Sequence, residues 1–410
     1  MSTTAIIIAL HHHQTFKSTL QSLDSIATDI RDLYIVHLPT YYVPQTKTAI
    51  QTHSIPIKGE DLGTTLNGLI TQIDASHVLL IDSHASLSTK AILAMDDHLV
   101  ASGDRNGLFI KRNALLQYPF PDKWLLPFPE SLLPFWFQEL PNEKKETNTF
   151  TTGLKRRKHA QQKAVEDFVR KYTLKAYTRT TVPISVVIAN YNQGDYLDNA
   201  IASCLIGSTL PEAIYVWDDG SSDSSPLRLS RWNQPILHSS ISKQNRGKAH
   251  ALNHLLSSIQ SPFILELDAD DWLDPNAFEV LTDMLRKWPD NSPLLYGNLR
   301  RWKEQRLGHL VYKGIANGRK IMTATSLQHY RYPLGPRMYR TDLLKKAGGF
   351  VVSEYEEGRL YEDVSTIMRL YKEGPLHYED FTIYNVRDHA QSITQKNHSK
   401  WNGFLKQLDR

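Results

Sequence analysis

The chain has 410 residues, with 47 Lys and Arg against 43 Asp and Glu, a net charge of +4 with 17 histidines neutral, and 41% hydrophobic residues. This balance excludes a disordered chain, favours two cores over one at this length, and makes only a weak case for nucleic acid or membrane as a partner, of which nucleic acid is not expected. A single cysteine, Cys204, excludes an intrachain disulfide scaffold and points to a reducing, cytoplasmic address.

In chain order, Ala5 to Leu10 is a short apolar run with the wrong length and flanks for a signal peptide. The following His11, His12 and His13 read as loop rather than metal ligands, because adjacent residues at a strand end point in different directions. No apolar stretch reaches the roughly 20 residues of a bilayer-spanning helix. Phe128, Phe135, Trp136 and Phe137 lie in a Leu-rich, Pro-interrupted stretch that would be costly if exposed. They are expected to pack between two domains or at a homo-oligomer contact, with peripheral membrane docking the lesser alternative. Residues 142–179 are polar, and Ala164, Phe168 and Tyr172 have the spacing of a linker helix. Within that segment Lys155-Arg156-Arg157-Lys158 reads as a solvated face or a contact for anionic lipid headgroups.

The second half alternates short apolar runs with helical periodicity, the pattern of an α/β domain with a mostly parallel sheet. Ile184 to Ala189 precedes a helix over Tyr196 to Leu205, and Phe263 to Leu267 precedes one over Asn276 to Trp288, for which Asp274-Pro275 supplies a cap. A strand over Ala213 to Trp217 ends in Asp218-Asp219-Gly220-Ser221-Ser222-Asp223. Ligands of such sheets bind at the carboxyl ends of strands.

The halves also resemble each other. Val78 to Ser88 aligns without gaps on Ile264 to Asp274, and Leu66-Asn67 falls on Leu252-Asn253 at the same offset. With small gaps, Ala5 to Phe16 matches Ser185 to Tyr196, Leu33 to Val36 matches Ile214 to Trp217, and Phe109 to Leu116 matches Arg337 to Leu344. The preserved order of the blocks implies a duplicated α/β domain.

The richest chemistry is Asp268-Ala269-Asp270-Asp271 at a strand end. In an extended segment Asp268 and Asp270 would share one side and could hold a divalent ion with hard oxygen ligands, Mg²⁺ or Mn²⁺ rather than zinc. Asn190-Tyr191-Asn192, Asp218-Asp219 and Asn245-Arg246-Gly247-Lys248 stand at neighbouring strand ends or at a helix start. An aromatic ring, a carboxylate for a base N–H and a basic side chain make a nucleoside diphosphate cradle.

These motifs resemble the family 2 glycosyltransferases, as do Gly348-Gly349-Phe350, Tyr361-Glu362-Asp363 and Arg387-x-His389-x-x-Ser392. The resemblance covers about Pro183 to Gln395 and implies a GT-A fold and inverting transfer of a sugar from a nucleotide diphosphate donor, with a lean toward uridine. By that resemblance Tyr191 and Asn192 meet the nucleotide, Asp219 reads the base, Lys248 lies near the nucleotide, and Asp268 and Asp270 serve ribose and metal. Asp271 supports the metal or the donor sugar, Asp363 is the catalytic base, and His389 reaches the metal or diphosphate unless it is structural. Glu362, Gly349 and Trp272 fall on the acceptor side, the last as a platform with Trp302 unless both are core.

The first copy departs from the pattern. Asp82-Ser83-His84 replaces the acidic pair, Leu38-Pro39-Thr40 the base-binding acids, and Leu132-Leu133-Pro134-Phe135 the Glu-Asp pair. The expectation is α/β, with tandem GT-A, Rossmann-like domains: a degenerate, non-catalytic copy over 1–141, a charged linker over 142–181, a catalytic domain over 182–396 and a tail over 397–410. The expected process is polysaccharide, lipopolysaccharide or other glycoconjugate synthesis on a glycan, lipid-linked or other hydroxyl acceptor, in the cytoplasm or at the inner face of the membrane. A nucleotidyltransferase or a glycan- or nucleotide-binding scaffold are the alternatives.

Overall fold

The computed structural model describes residues 2–10, 16–39, 43, 48, 50–57, 61–83, 85–88, 98–104, 107–122, 125–147, 151–153, 159–175, 177–305, 309–323, 326–327, 334–352 and 361–390. Two compact units divide the chain, Met1–Thr178 and Arg179–Arg410. His11 to His13, the basic cluster 155–158 and the tail over 397–410 lie outside the described residues.

The N-terminal unit contains β1 (Thr3–Ala9), β2 (Ile30–His37), β3 (Gln51–Pro56), β4 (His77–Asp82), β5 (Ala85–Leu87), β6 (Val100–Asp104), β7 (Gly107–Lys111), β8 (Lys145–Thr147) and β9 (Thr151–Gly153). Its helices are α1 (Phe16–Leu23), α2 (Leu62–Gln72), α3 (Arg112–Gln117), α4 (Leu132–Glu139) and α5 (Ala160–Val169). Seven strands form a sheet of order β3-β2-β1-β4-β7-β6-β8, and β5 pairs with β9. Every residue of β1 is buried, as a central parallel strand covered on both faces must be. Asp61 caps α2 by accepting from the Thr64 N–H at 3.1 Å.

The C-terminal unit contains β10 (Thr180–Asn190), β11 (Thr209–Asp218), β12 (Leu237–Ile241), β13 (Phe263–Glu266), β14 (Trp272–Leu273), β15 (Leu294–Glu304), β16 (Leu310–Ala316), β17 (Arg337–Arg340) and β18 (His377–Asp388). Its helices are α6 (Gly194–Leu205), α7 (Ser225–Leu229), α8 (Lys248–Ser258), α9 (Ala277–Leu285), α10 (Thr341–Lys346) and α11 (Glu362–Glu373). The sheet runs β12-β11-β10-β13-β17-β15-β18-β14, with β16 on β15.

The duplication expected from the sequence is visible in this topology. In both sheets the first strand is parallel to the second and to the fourth element of the order. The edge strand continues the parallel set. The next strand, β7 or β17, is antiparallel, and a parallel pair, β6 with β8 or β15 with β18, lies beyond it. One side-chain device recurs as well. Asn67 in α2 donates to the Phe120 carbonyl and accepts from its N–H, both at 2.9 Å, and Asn253 in α8 does the same with Phe350 at 2.8 Å. The structure shifts one block of the alignment by a residue. Leu108 stands opposite Leu80 as Arg337 stands opposite Glu266, so Leu108, and not Phe109, is the counterpart of Arg337.

Three sequence expectations change here. The segment from 142 is no separate linker. β8 joins the first sheet beside β6, β9 pairs with β5, and Phe168 of α5 packs edge-on to Phe128 at 5.3 Å. Its polar composition hid this because the buried Lys145 satisfies its ammonium on the Gln138 carbonyl at 2.9 Å and sets the same nitrogen over the Phe137 ring, 5.4 Å from its centroid. The aromatic stretch, second, is core rather than an interface. Leu132, Leu133, Trp136 and Phe137 share a cluster with Leu66, Ile70 and Leu115, and the Trp136 indole donates to the Tyr118 carbonyl at 2.7 Å. Third, Asp274 does not cap α9; its buried carboxylate accepts from Arg300 at 2.6 Å and Asn385 at 2.8 Å. No helix among the described residues is long and apolar enough to cross a membrane.

Candidate active site

The carboxyl ends of β10, β11 and β13 carry the loops in question. Asn190 closes β10 by donating to Asp218 at 2.6 Å, and Asp218 also accepts from the Ser221 N–H at 2.9 Å. Asn192 adopts φ 53 and accepts from the Ser222 N–H at 2.8 Å, so its side chain builds the loop. Between them the Tyr191 ring stays 46% exposed. Asp219 is buried and accepts from the Arg246 and Gly247 N–H groups at 2.9 and 2.7 Å, tying the β11 loop to the start of α8. Gly220 is required at that junction, since it has φ +74 and a Cβ would meet the Gln244 backbone at 2.8 Å. Beside it opens a cavity of about 620 Å³ lined by Trp217, Asp219, Gln244, Arg246, His250 and His254, among others.

A buried charge network forms the floor. Lys248, the first residue of α8, contacts the Asp268 carboxylate, lies 2.8 Å from Glu266 and 3.9 Å from Glu362. Glu266 ends β13 directly opposite Arg337. It accepts from the Arg337 Nε at 3.0 Å and Nη2 at 2.8 Å, and from the Tyr339 hydroxyl at 2.7 Å. The same guanidinium comes within 3.5 Å of Asp268 and 3.5 Å of Asp363. Burial opposes the charge on Glu266, but Arg337 and Lys248 hold its carboxyl well below the usual range. Glu362 goes the other way: burial and the neighbouring Asp363 push it up to about 7, against the pull of Lys248. Asp363 lies in the first turn of α11, where a carboxylate is favoured.

Glu266, Arg337 and Tyr339 were not anticipated from the sequence. The available signal was Glu266 itself, a carboxylate inside the otherwise apolar run Phe263 to Leu267, which a buried strand tolerates only with a partner.

The three acids of Asp268-Ala269-Asp270-Asp271 face different neighbours. The segment is a turn closed by the Asp271 N–H on the Asp268 carbonyl at 3.1 Å, not the extended run expected. Asp268 meets Lys248, whereas Asp270 meets the His389 Nε2 at 2.8 Å. Asp271 is 5% exposed and accepts from the Arg387 N–H at 2.8 Å; burial and the charges of Asp270 and Asp268 push its carboxyl well up. Arg387 clamps this turn, donating to the Asp270 carbonyl at 3.0 Å and to Asn199 at 3.2 Å. Among the described residues no three His, Cys, Asp or Glu side chains converge as a ligand cluster. The Asp270 carboxylate suits a cation that takes few protein ligands and completes its shell with phosphate and water, as Mg²⁺ does; the adjacent His389 imidazole is a poor ligand for that ion.

One acceptor-side expectation is corrected, and a second residue has a structural task. Trp272 and Trp302 are fully buried, 6.1 Å apart, with Arg387 over the Trp272 ring. They form no open platform, because β14 pairs with β18 in the sheet. Gly349 serves the Asn253 pin: it has φ +76, and a Cβ there would lie 2.4 Å from the Asn253 Oδ1.

Comparison with known proteins names this unit. The sequence model of the family described as Glycosyl transferase family 2 matches residues 185–348. Chondroitin synthase of Escherichia coli is 26% identical over 268 residues, 64% of this chain and 37% of that protein. An uncharacterized glycosyltransferase of Rickettsia conorii is 24% identical over 239 residues, 55% of this chain and 38% of that protein. The chain thus spans less than two-fifths of the length of these relatives. Among solved structures, S. aureus TarS 1-349 in complex with UDP-GlcNAc is 18% identical and covers 52% of this chain and 60% of that one at a TM-score of 0.39, too partial a likeness to carry an argument. The family match takes in Asp219, Lys248, Asp268 and Asp270, while Asp363 and His389 follow it. The C-terminal unit therefore carries a glycosyltransferase domain of glycosyl transferase family 2, with the mixed α/β GT-A architecture expected of it.

Proposed function

We propose that the chain is a metal-dependent, inverting glycosyltransferase that moves a sugar from a nucleotide diphosphate sugar to an acceptor hydroxyl in glycoconjugate assembly. One observation carries this reading: Asp268 and Asp363, from separate elements, meet the same guanidinium at 3.5 Å, so a donor-side acid and a helix-start acid share one site. The exposed Tyr191 ring stacks on the base, Asp219 fixes the loop beneath it, and Lys248 turns its ammonium to the diphosphate. Asp363 accepts the proton of the acceptor hydroxyl as its oxygen attacks the anomeric carbon. The bond to the diphosphate breaks on the opposite face, which inverts the configuration. Asp270 and His389, with Asp268 nearby, would hold Mg²⁺ or Mn²⁺, which when bound stabilises the charge on the departing diphosphate. The N-terminal unit, which keeps only Asp82 of these acids, has no such chemistry of its own.

The test is incubation of the purified chain with a panel of nucleotide sugars and glycan or lipid-linked acceptors, with and without Mn²⁺. Metal-dependent release of nucleoside diphosphate is the expected result. Release of pyrophosphate instead would make the protein a nucleotidyltransferase. No turnover together with no thermal stabilisation by any nucleotide would make it a scaffold.

A further inference from the structure

Arg337 belongs to none of the motifs that mark the site, yet its guanidinium meets three of the site's acids, Glu266, Asp268 and Asp363. Its place is set by register, opposite Glu266 on the neighbouring antiparallel strand. Glu266 takes the Nε and one edge of Nη2. The planar fork then aims Nη2 at Asp268 and Nη1 at Asp363, each at 3.5 Å.

The fold alone does not ask for this arrangement. A buried ion pair adds little over apolar residues of similar volume, and the N-terminal unit makes that substitution itself. Its matching positions are Leu80 and Leu108, opposite each other and fully buried in one core cluster. The same framework site therefore closes with two leucines where, of the acids above it, only Asp82, the counterpart of Asp268, is kept.

We infer that Arg337 is a positioning residue of the transfer reaction: anchored on Glu266, its guanidinium holds the Asp363 carboxylate at a set place relative to Asp268. The inference rests on the reading of the site proposed above. The two acids depend on Arg337 unequally. Asp268 is also held by Lys248, whereas Asp363 has, among the described residues, its ion pair with Arg337 on one oxygen and a local hydrogen bond from the Val364 N–H at 2.8 Å on the other. Loss of the fork thus leaves the donor side in place and frees the Oδ2 side of the base to turn about its remaining local hydrogen bond, and a displacement of about 1 Å in a reacting group can cost about 10²-fold in rate. Lysine does not replace it, being a point charge without a fork.

The test uses the full chain with R337K and, copying the pair found in the N-terminal unit, the double variant E266L/R337L, which removes the buried carboxylate and guanidinium together, leaves Lys248 paired with Asp268 and takes away the acceptor of the Tyr339 hydroxyl. Donor affinity by calorimetry, donor KM, kcat and the melting temperature are measured with a nucleotide sugar that the wild type turns over. For R337K the expected result is donor affinity and KM within about twofold of wild type and kcat lower by about 10²-fold. The double variant is expected to melt near the wild type with the same loss of kcat. A kcat close to wild type in either folded variant overturns the inference, as does a fall of donor affinity and kcat in step with the melting temperature, which is what a mere prop would give. A wild type that turns over no donor overturns the functional reading itself, and this inference with it.

Discussion

The two units are built on one frame and differ in what that frame carries. Both run seven strands in the same order and sense, and both pin a phenylalanine backbone with an asparagine. At the strand ends they part. β11 ends in Asp218 and is followed by Asp219, whereas β2 ends in His37, whose ring contacts the Leu38 carbonyl at 2.7 Å and Ser54 at 2.9 Å. Glu266 and Arg337 lie under the acids of one unit, and Leu80 and Leu108 occupy the matching places in the other. The frame rests on apolar burial and local backbone satisfaction, which tolerate loss of charge; the site rests on compensated buried charge, which has no purpose once its set of acids is broken up.

The sharpest test of this contrast is Asp363→Asn. It is expected to lower kcat by about 10²–10⁴-fold, the usual worth of a positioned base, with donor affinity by calorimetry unchanged. Asp82→Asn in the other unit should alter neither quantity, and a loss of turnover there would break the division of labour. Next in size, Asp270→Asn should weaken metal-dependent donor binding by about 10–100-fold, read as the Mn²⁺ concentration needed for thermal stabilisation by nucleotide.

A pH series isolates Glu362. Its folded value of about 7 exceeds the ordinary 4.5, so the folded chain holds this proton more tightly than the unfolded one. The resulting stability is full below pH 4.5 and is lost as pH rises through about 7. Glu362→Gln should remove about 1–3 kcal/mol of that pH dependence, seen as a flatter curve of unfolding free energy against pH. The smallest expected effect is also the most symmetric. Asn67→Ala and Asn253→Ala should each cost about 1 kcal/mol in chemical denaturation, and only the second should touch turnover, because Val351, next to the pinned Phe350, donates its N–H to Thr366 at 2.9 Å in α11, the helix that carries Asp363.

Much of this was legible in the sequence because it is local. Continuous apolar runs such as Ile184 to Ala189 can be little other than buried strands, and Asp218-Asp219-Gly220 needs its glycine for a backbone no other residue adopts easily. The internal repeat was legible as well, since Asn67 and Asn253 keep their offset from the aligned strands. Less local features were misread. Trp272 looked like a platform because exposure of an aromatic ring is decided by which strand pairs over it. The stretch from 142 looked like a linker because a three-residue edge strand leaves too short a pattern to separate from loop. Phe128 to Phe137 looked like an interface because an apolar face does not say which surface will cover it.

The sequence by itself determined the class of fold, the doubling of the domain and the acids at the strand ends, since these follow from periodicity and from residue types at fixed offsets. Only the tertiary structure decided which charges meet. Glu266, Arg337 and Asp363 lie far apart along the chain, and β13, β17 and α11 bring them to one point. Coulomb energy depends on separation in space and on burial, and neither is written in spacing along the chain.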